Sequence, residues 1–186
     1  MRDVIRWLVA AVALVLIRAG LSTPPWHVVL SSLLATGVLT LGLHWSDAGG
    51  FDGFAAVFVF DFVVGTVNTL DEAFFFHVIA WNQLAPVLTV GLVASVAVAA
   101  LLALVPPLRR GSSIGPVSTF RILGFAPLLA IAYFVLYLIA GLIASPYVIA
   151  FYKPRQLPTI GVVLFVELGR GVLYVLAAWL WVRIIP

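Results

Sequence analysis

Two stretches of this chain, Ala85 to Val105 and Leu123 to Ser145, run for 21 and 23 residues without a charged side chain. A run of roughly 20 apolar residues is the length a helix needs to cross the bilayer hydrocarbon. The rest of the chain has the same character: of 186 residues, 64% are hydrophobic and 9% charged, and the mean hydropathy is +1.22. Soluble domains carry about 45–50% apolar and about 25% charged residues. A body of this size cannot enclose so much apolar surface, and disorder and coiled coils both need charge. The composition predicts an all-α, polytopic integral membrane bundle, one domain over residues 1–186, with almost no mass outside the bilayer.

Prolines, glycines and charges divide the chain into six expected spans, roughly 4–20, 28–43, 54–75, 85–105, 123–145 and 160–185. Arg6 and Arg18 lie near the ends of the first, where they can snorkel to the headgroups. Residues Trp7 to Ile17 also have the length of a signal-peptide core, but the residues after Arg18 lack a clean small-x-small cleavage site, so the segment is expected to remain as a helix. Pro24-Pro25 breaks the chain before the second span, and Pro106-Pro107 with Arg109-Arg110 ends the fourth. Residues 76–84 fit a turn, a re-entrant piece or an extension of the third helix. Pro146 to Pro158 is expected to be a loop.

Six crossings put both termini on one side. Short-loop bases orient such a bundle. Arg2, Arg6, Arg109, Arg110, Arg121 and Arg183 fall on the terminal side, and Arg18, Lys153 and Arg155 on the other, which predicts an N-in/C-in protein. Nine of the ten bases are Arg, the bias of a GC-rich bacterial genome, and a multi-pass inner-membrane location is expected. A net charge of +3 is too small and scattered for a nucleic-acid surface. The expected partner is the lipid bilayer, together with a small solute, an ion or a partner subunit.

Two spans carry polar residues that lipid does not tolerate. In the third, Asp61, Gly65, Asn68 and Glu72 fall within roughly 60° of arc on a regular α-helix. In the sixth, Glu167, Arg170, Gly171 and Tyr174 fall within roughly 100°. An ionised side chain at the bilayer centre costs at least about 2.5–3.5 kcal/mol, so both faces should look inward. Glu167 and Arg170, three residues apart, can pair on their own helix. Aligning the ends of the two antiparallel spans sets Glu167 level with Asn68 and Arg170 level with Gly65, from where the guanidinium is expected to neutralise Asp61, Glu167 or both. Gly91, Ser95, Ala99 and Ala103 form a small-residue stripe expected to pack internally, and Gly141 and Ser145 a shorter one.

The sequence carries few signs of catalysis. Absence of Cys removes thiolate chemistry. Asp71, Glu72 and His77 do not form a chelating face on a helix, and the expectation is that the two acids cap a helix end at the interface. No H-e-x-x-H or G-x-S-x-G run is present. The paired glutamates, arginine and two histidine motifs of intramembrane prenyl proteases are not matched by Glu167-Leu168-Gly169-Arg170. No cofactor or metal motif is recognised, and no catalytic residue is assigned.

The expected polar site is Asp61, Asn68, Glu72, Glu167, Arg170 and Tyr174. The leading expectation is movement of a proton, ion or small solute between the third and sixth spans, with Asp61 or Glu72 protonatable. A structural or partner subunit with a buried charge cluster is the second expectation. The third is an intramembrane enzyme acting on a lipid or isoprenoid.

Overall fold

Backbone groups in hydrocarbon find no water, so an apolar span must satisfy its own hydrogen bonds by becoming a helix. The computed structural model of the chain describes residues 2–20, 23, 25–46, 50–76, 80–103, 119–152 and 158–184. Its helices are α1 (Arg2–Ala19), α2 (Trp26–Ser46), α3 (Gly50–Asp61), α4 (Asn68–Phe76), α5 (Leu84–Ala103), α6 (Thr119–Tyr152) and α7 (Ile160–Ile184). A π-helical segment, Phe62–Val67, joins α3 to α4 without a break, and a 3-10 turn, Trp81–Gln83, leads into α5. No strand occurs among the described residues. The third expected span is therefore α3, the π segment and α4 in series.

Among the described residues, five helical stretches are long and apolar enough to cross a membrane. The remaining helix, α1, is 18 residues long and carries Arg2, Asp3, Arg6 and Arg18 at its ends. Its uncharged middle supplies Ala10 and Leu14 to the core. Asp3 in the first turn and Arg18 in the last complement the helix dipole. Gly20 then turns left-handed (φ +60°) and returns its N–H to the Leu16 carbonyl, which ends the helix. Around the bundle, Leu34, Leu136, Leu142 and Ile143 stand largely exposed, an apolar surface suited to lipid. The chain is a multi-pass membrane protein.

Several boundaries differ from the expected ones. α6 does not stop at Ser145 but continues through Pro146 to Tyr152, and Pro127 also lies within it. Transmembrane helices tolerate proline where neighbouring groups re-satisfy the freed carbonyls, and here Ser145 Oγ donates to the Leu142 carbonyl, at 2.9 Å. α3 starts at Gly50, shortening the loop expected there. The third helix does not run unbroken to Leu84, since α4 ends at Phe76 and Ala80 is extended; residues 77–79 lie outside the described residues. His77, residues 104–118 with Arg109 and Arg110, and Lys153 and Arg155 lie outside the described residues.

The helices pack antiparallel. α1 lies against α2 and α5, and α3 against α5 and α7. Among the described residues α6 touches α7 alone. The core gathers Ala10, Leu14, Leu39, Leu43, Ala56, Val57, Val98, Ala99 and Leu102. It occupies the half of the bundle nearer the chain termini, hereafter the terminal face. The polar residues occupy the half nearer the opposite face.

Candidate functional site

Asp61 and Thr66 are both buried and both face α5: Ser95 Oγ donates to the Asp61 carboxylate at 2.7 Å, and Thr66 packs on Gly91. Five residues apart, they stand about 140° apart on an α-helix. The π segment brings them to one side, because its hydrogen bonds run from i to i+5. The Asn68 N–H reaches both the Val63 and Gly65 carbonyls as the helix returns to α geometry.

The same segment turns the following residues toward α7. The wider turn delays the rotation by about one residue position, so the expected stripe divides in two. Asp61 looks at α5. Asn68 instead accepts from the Tyr174 hydroxyl at 2.7 Å, and Asp71 accepts from Arg170 Nε at 2.9 Å. Glu72 lies on α4, but its side chain is outside the described residues. Asp71 is thus no interfacial cap, contrary to expectation, but a counter-ion of the Arg170 guanidinium.

Arg170 is 2% exposed and Glu167 is 0% exposed, and their Nη1–Oε1 distance is 2.7 Å. The Tyr133 hydroxyl, from α6, adds a donor to Glu167 at 3.2 Å. Its ring meets that of Tyr174 edge to face, with centroids 4.9 Å apart. One connected network therefore joins α4, α6 and α7 and contains Asn68, Asp71, Tyr133, Glu167, Arg170 and Tyr174. Gly171 completes the joint, since a Cβ there would stand 3.1 Å from the Ala130 carbonyl oxygen.

The expected register is displaced. Arg170 sits opposite Asp71, six positions along the helix from Gly65. Asp61 lies ten residues before Asp71, on the order of 15 Å along the axis. Arg170 consequently pairs with Glu167 but not with Asp61, which belongs to a separate place.

That place is an open cleft of about 510 Å³ between the end of α1, the π segment with the start of α4, and the first half of α5. Arg18, Asp61, Gly65, Asn68, Thr69 and Ser95 supply its polar wall, and Val64, Val87, Val90 and Ala94 its apolar wall. Asp61, 8% exposed, stands at its inner end. A second groove, of about 430 Å³, lies between α1 and α2 at the terminal face and shares no lining residue with the first. There Asp3 reaches both His44, at 3.3 Å, and Arg6, at 3.2 Å.

Of the six expected site residues, Asn68, Glu167, Arg170 and Tyr174 come together, and Asp61 stands apart. Ser95, Asp71, Tyr133 and Arg18 join them unforeseen. Ser95 and Gly91 had been visible only as small residues; in the fold that stripe faces inward, against Asp61 and Thr66. Gly141 and Ser145 instead lie exposed on α6. A Cβ on Gly91 would fall 2.8 Å from the Thr66 Cβ and still closer to its other side-chain atoms. Threonine is stiff at χ1 and cannot swing away freely. Gly91→Ala is expected to lower stability by about 1–3 kcal/mol, read as an earlier unfolding midpoint in detergent, with partial recovery in the Thr66→Ala background.

No protein-family model, curated protein or solved structure matches this chain.

Proposed function

We propose that the protein moves a proton, ion or small solute across a bacterial inner membrane, and that the Asp61 cleft is the place where the cargo is held. The observation that carries this reading is a buried carboxylate in mid-span, at the inner end of an open cleft with polar groups on its wall and bonded, among the described residues, by a neutral hydroxyl. Intramembrane carboxylates are expensive and mark ion and proton paths, and π segments recur at functional sites. The excess of short-loop bases on the terminal face supports an N-in/C-in orientation.

The Glu167–Arg170–Asp71 network favours the second reading, a structural subunit whose buried charges fix helix positions. Both roles fit in one molecule, the network joining α6 and α7 to the bundle and the cleft handling cargo. Intramembrane catalysis has less support, since Asp61 and Glu167 face different helices.

Purified protein in sealed vesicles tests the reading. Asp61→Asn preserves size and the Ser95 contact, and is expected to abolish flux while the variant still inserts and unfolds near the wild-type midpoint. Unchanged flux in that variant overturns the proposal.

A further inference from the structure

We infer that the cleft is a water-filled vestibule reached from one membrane face alone, opposite the chain termini, and that it loads Asp61 with a proton. The inference rests on the transport reading and adds a side and a cargo to it.

The side follows from what lies above and below Asp61. Toward the opposite face the cleft is bounded by Asn68 and Thr69 on α4 and by Pro86 and Val90 on α5, all closer to that face than Asp61 is. Arg18, at the end of α1, brings a charge to the same wall. Toward the terminal face the next residues along the same three helices are Leu14, Val57, Val98 and Leu102, all fully buried in the apolar core. Water has polar partners along the first route. The second offers it none.

The cargo follows from the donor set. Ser95 occupies one carboxylate position of Asp61 as a neutral donor. Hard divalent cations take six or more oxygens, usually including several carboxylates, and no group of three His, Cys, Asp or Glu converges among the described residues. A proton needs one acceptor. Loading converts hydronium and the Asp61 carboxylate into water and the neutral acid, and no other bond changes. When the proton leaves, the carboxylate remains in a cleft whose wall also carries the Arg18 guanidinium.

The chain contains no Cys, so any introduced thiol is the sole one. Thr69→Cys and Val90→Cys, two exposed positions on the cleft wall, are compared with Val57→Cys and Val98→Cys in the core. A charged, membrane-impermeant thiol reagent is added to vesicles of either orientation. The cleft thiols are expected to react roughly ten-fold or more faster from the face opposite the termini, because reagent access governs the rate. The core thiols are expected to resist from both faces. Equal reaction from both faces overturns the one-sided vestibule, as does cleft labelling by an apolar, membrane-permeant maleimide alone, which marks a groove open to lipid. A pH-sensitive dye inside vesicles in choline buffer reads the cargo: acidification without Na⁺ or K⁺ is expected, and flux that requires either ion overturns the proton. Labelling needs no transport. One-sided labelling with flux unchanged in Asp61→Asn therefore overturns the transport reading, whereas two-sided labelling with flux abolished overturns only the vestibule.

Discussion

Arg170→Met is expected to destabilise the bundle by about 3–5 kcal/mol, the usual cost of removing one partner from a buried ion pair. Methionine fills much of the volume, so the loss is one of charge more than of packing. In its absence Glu167, with no exposed surface, keeps the Tyr133 hydroxyl but loses its 2.7 Å cation, and Asp71 loses its 2.9 Å contact. Because, among the described residues, α6 touches only α7, and its Tyr133 is part of the network, the α6–α7 pair should detach first. Titration from mild detergent into SDS, followed by tryptophan fluorescence, measures the shift. The triple variant Arg170→Met, Glu167→Gln, Asp71→Asn is expected to recover most of the lost stability, since it removes the stranded charges along with the cation. A single variant as stable as wild type would show that the network does not hold these helices together. Failure of the triple variant to recover would assign the cost to lost packing.

The sequence makes the spans legible because a 20-residue apolar run has one economical conformation in lipid. It also marks Glu167, Arg170, Asn68 and Tyr174 as inward-facing, because their desolvation cost is large enough to dictate orientation. What it hides is phase and register. The π segment depends on a tertiary fit, Thr66 seated against Gly91, that no local pattern announces. A regular 100° step therefore places Asp61 and Asn68 on one face, where the structure, though both border the cleft, bonds Asp61 to Ser95 on α5 and Asn68 to Tyr174 on α7. Aligning the helix ends likewise misplaces Arg170 by six residues, because the depth of α7 is set by the Asn68–Tyr174 and Asp71–Arg170 pairs. The same shift in phase brings Asp71, which a regular helix leaves off the expected stripe, to Arg170. Tyr133 could not be picked out, being one aromatic among many on a helix with no other polar anomaly at that level.

Deleting Val63 from the π segment provides the sharpest check on this account. A π segment holds about one residue more than the α-helix it replaces. Removing that residue should let α3 and α4 fuse into one regular helix. Asp61 then keeps its orientation toward α5, and Asn68 and Asp71 keep theirs toward α7, with a shortening of only about 1.5 Å. Unfolding of this variant is expected to stay within about 1 kcal/mol of wild type, a mild value for a mid-membrane deletion. Deleting Ala55, within α3, has no extra residue to absorb. It turns everything before it by about 100° relative to everything after, driving the Phe51–Phe54 end of α3 out of its seat or pulling Asp61 from Ser95. A loss of several kcal/mol or failure to accumulate is expected, read on the same SDS titration. Equal damage from the two deletions would mean that the π segment is not what sets the phase between the Asp61 cleft and the Arg170 network. Tolerance of the Val63 deletion together with loss of flux would show that the extra residue is kept for the cleft, where it holds Thr66 and Gly65 beside Asp61, and not for the stability of the fold.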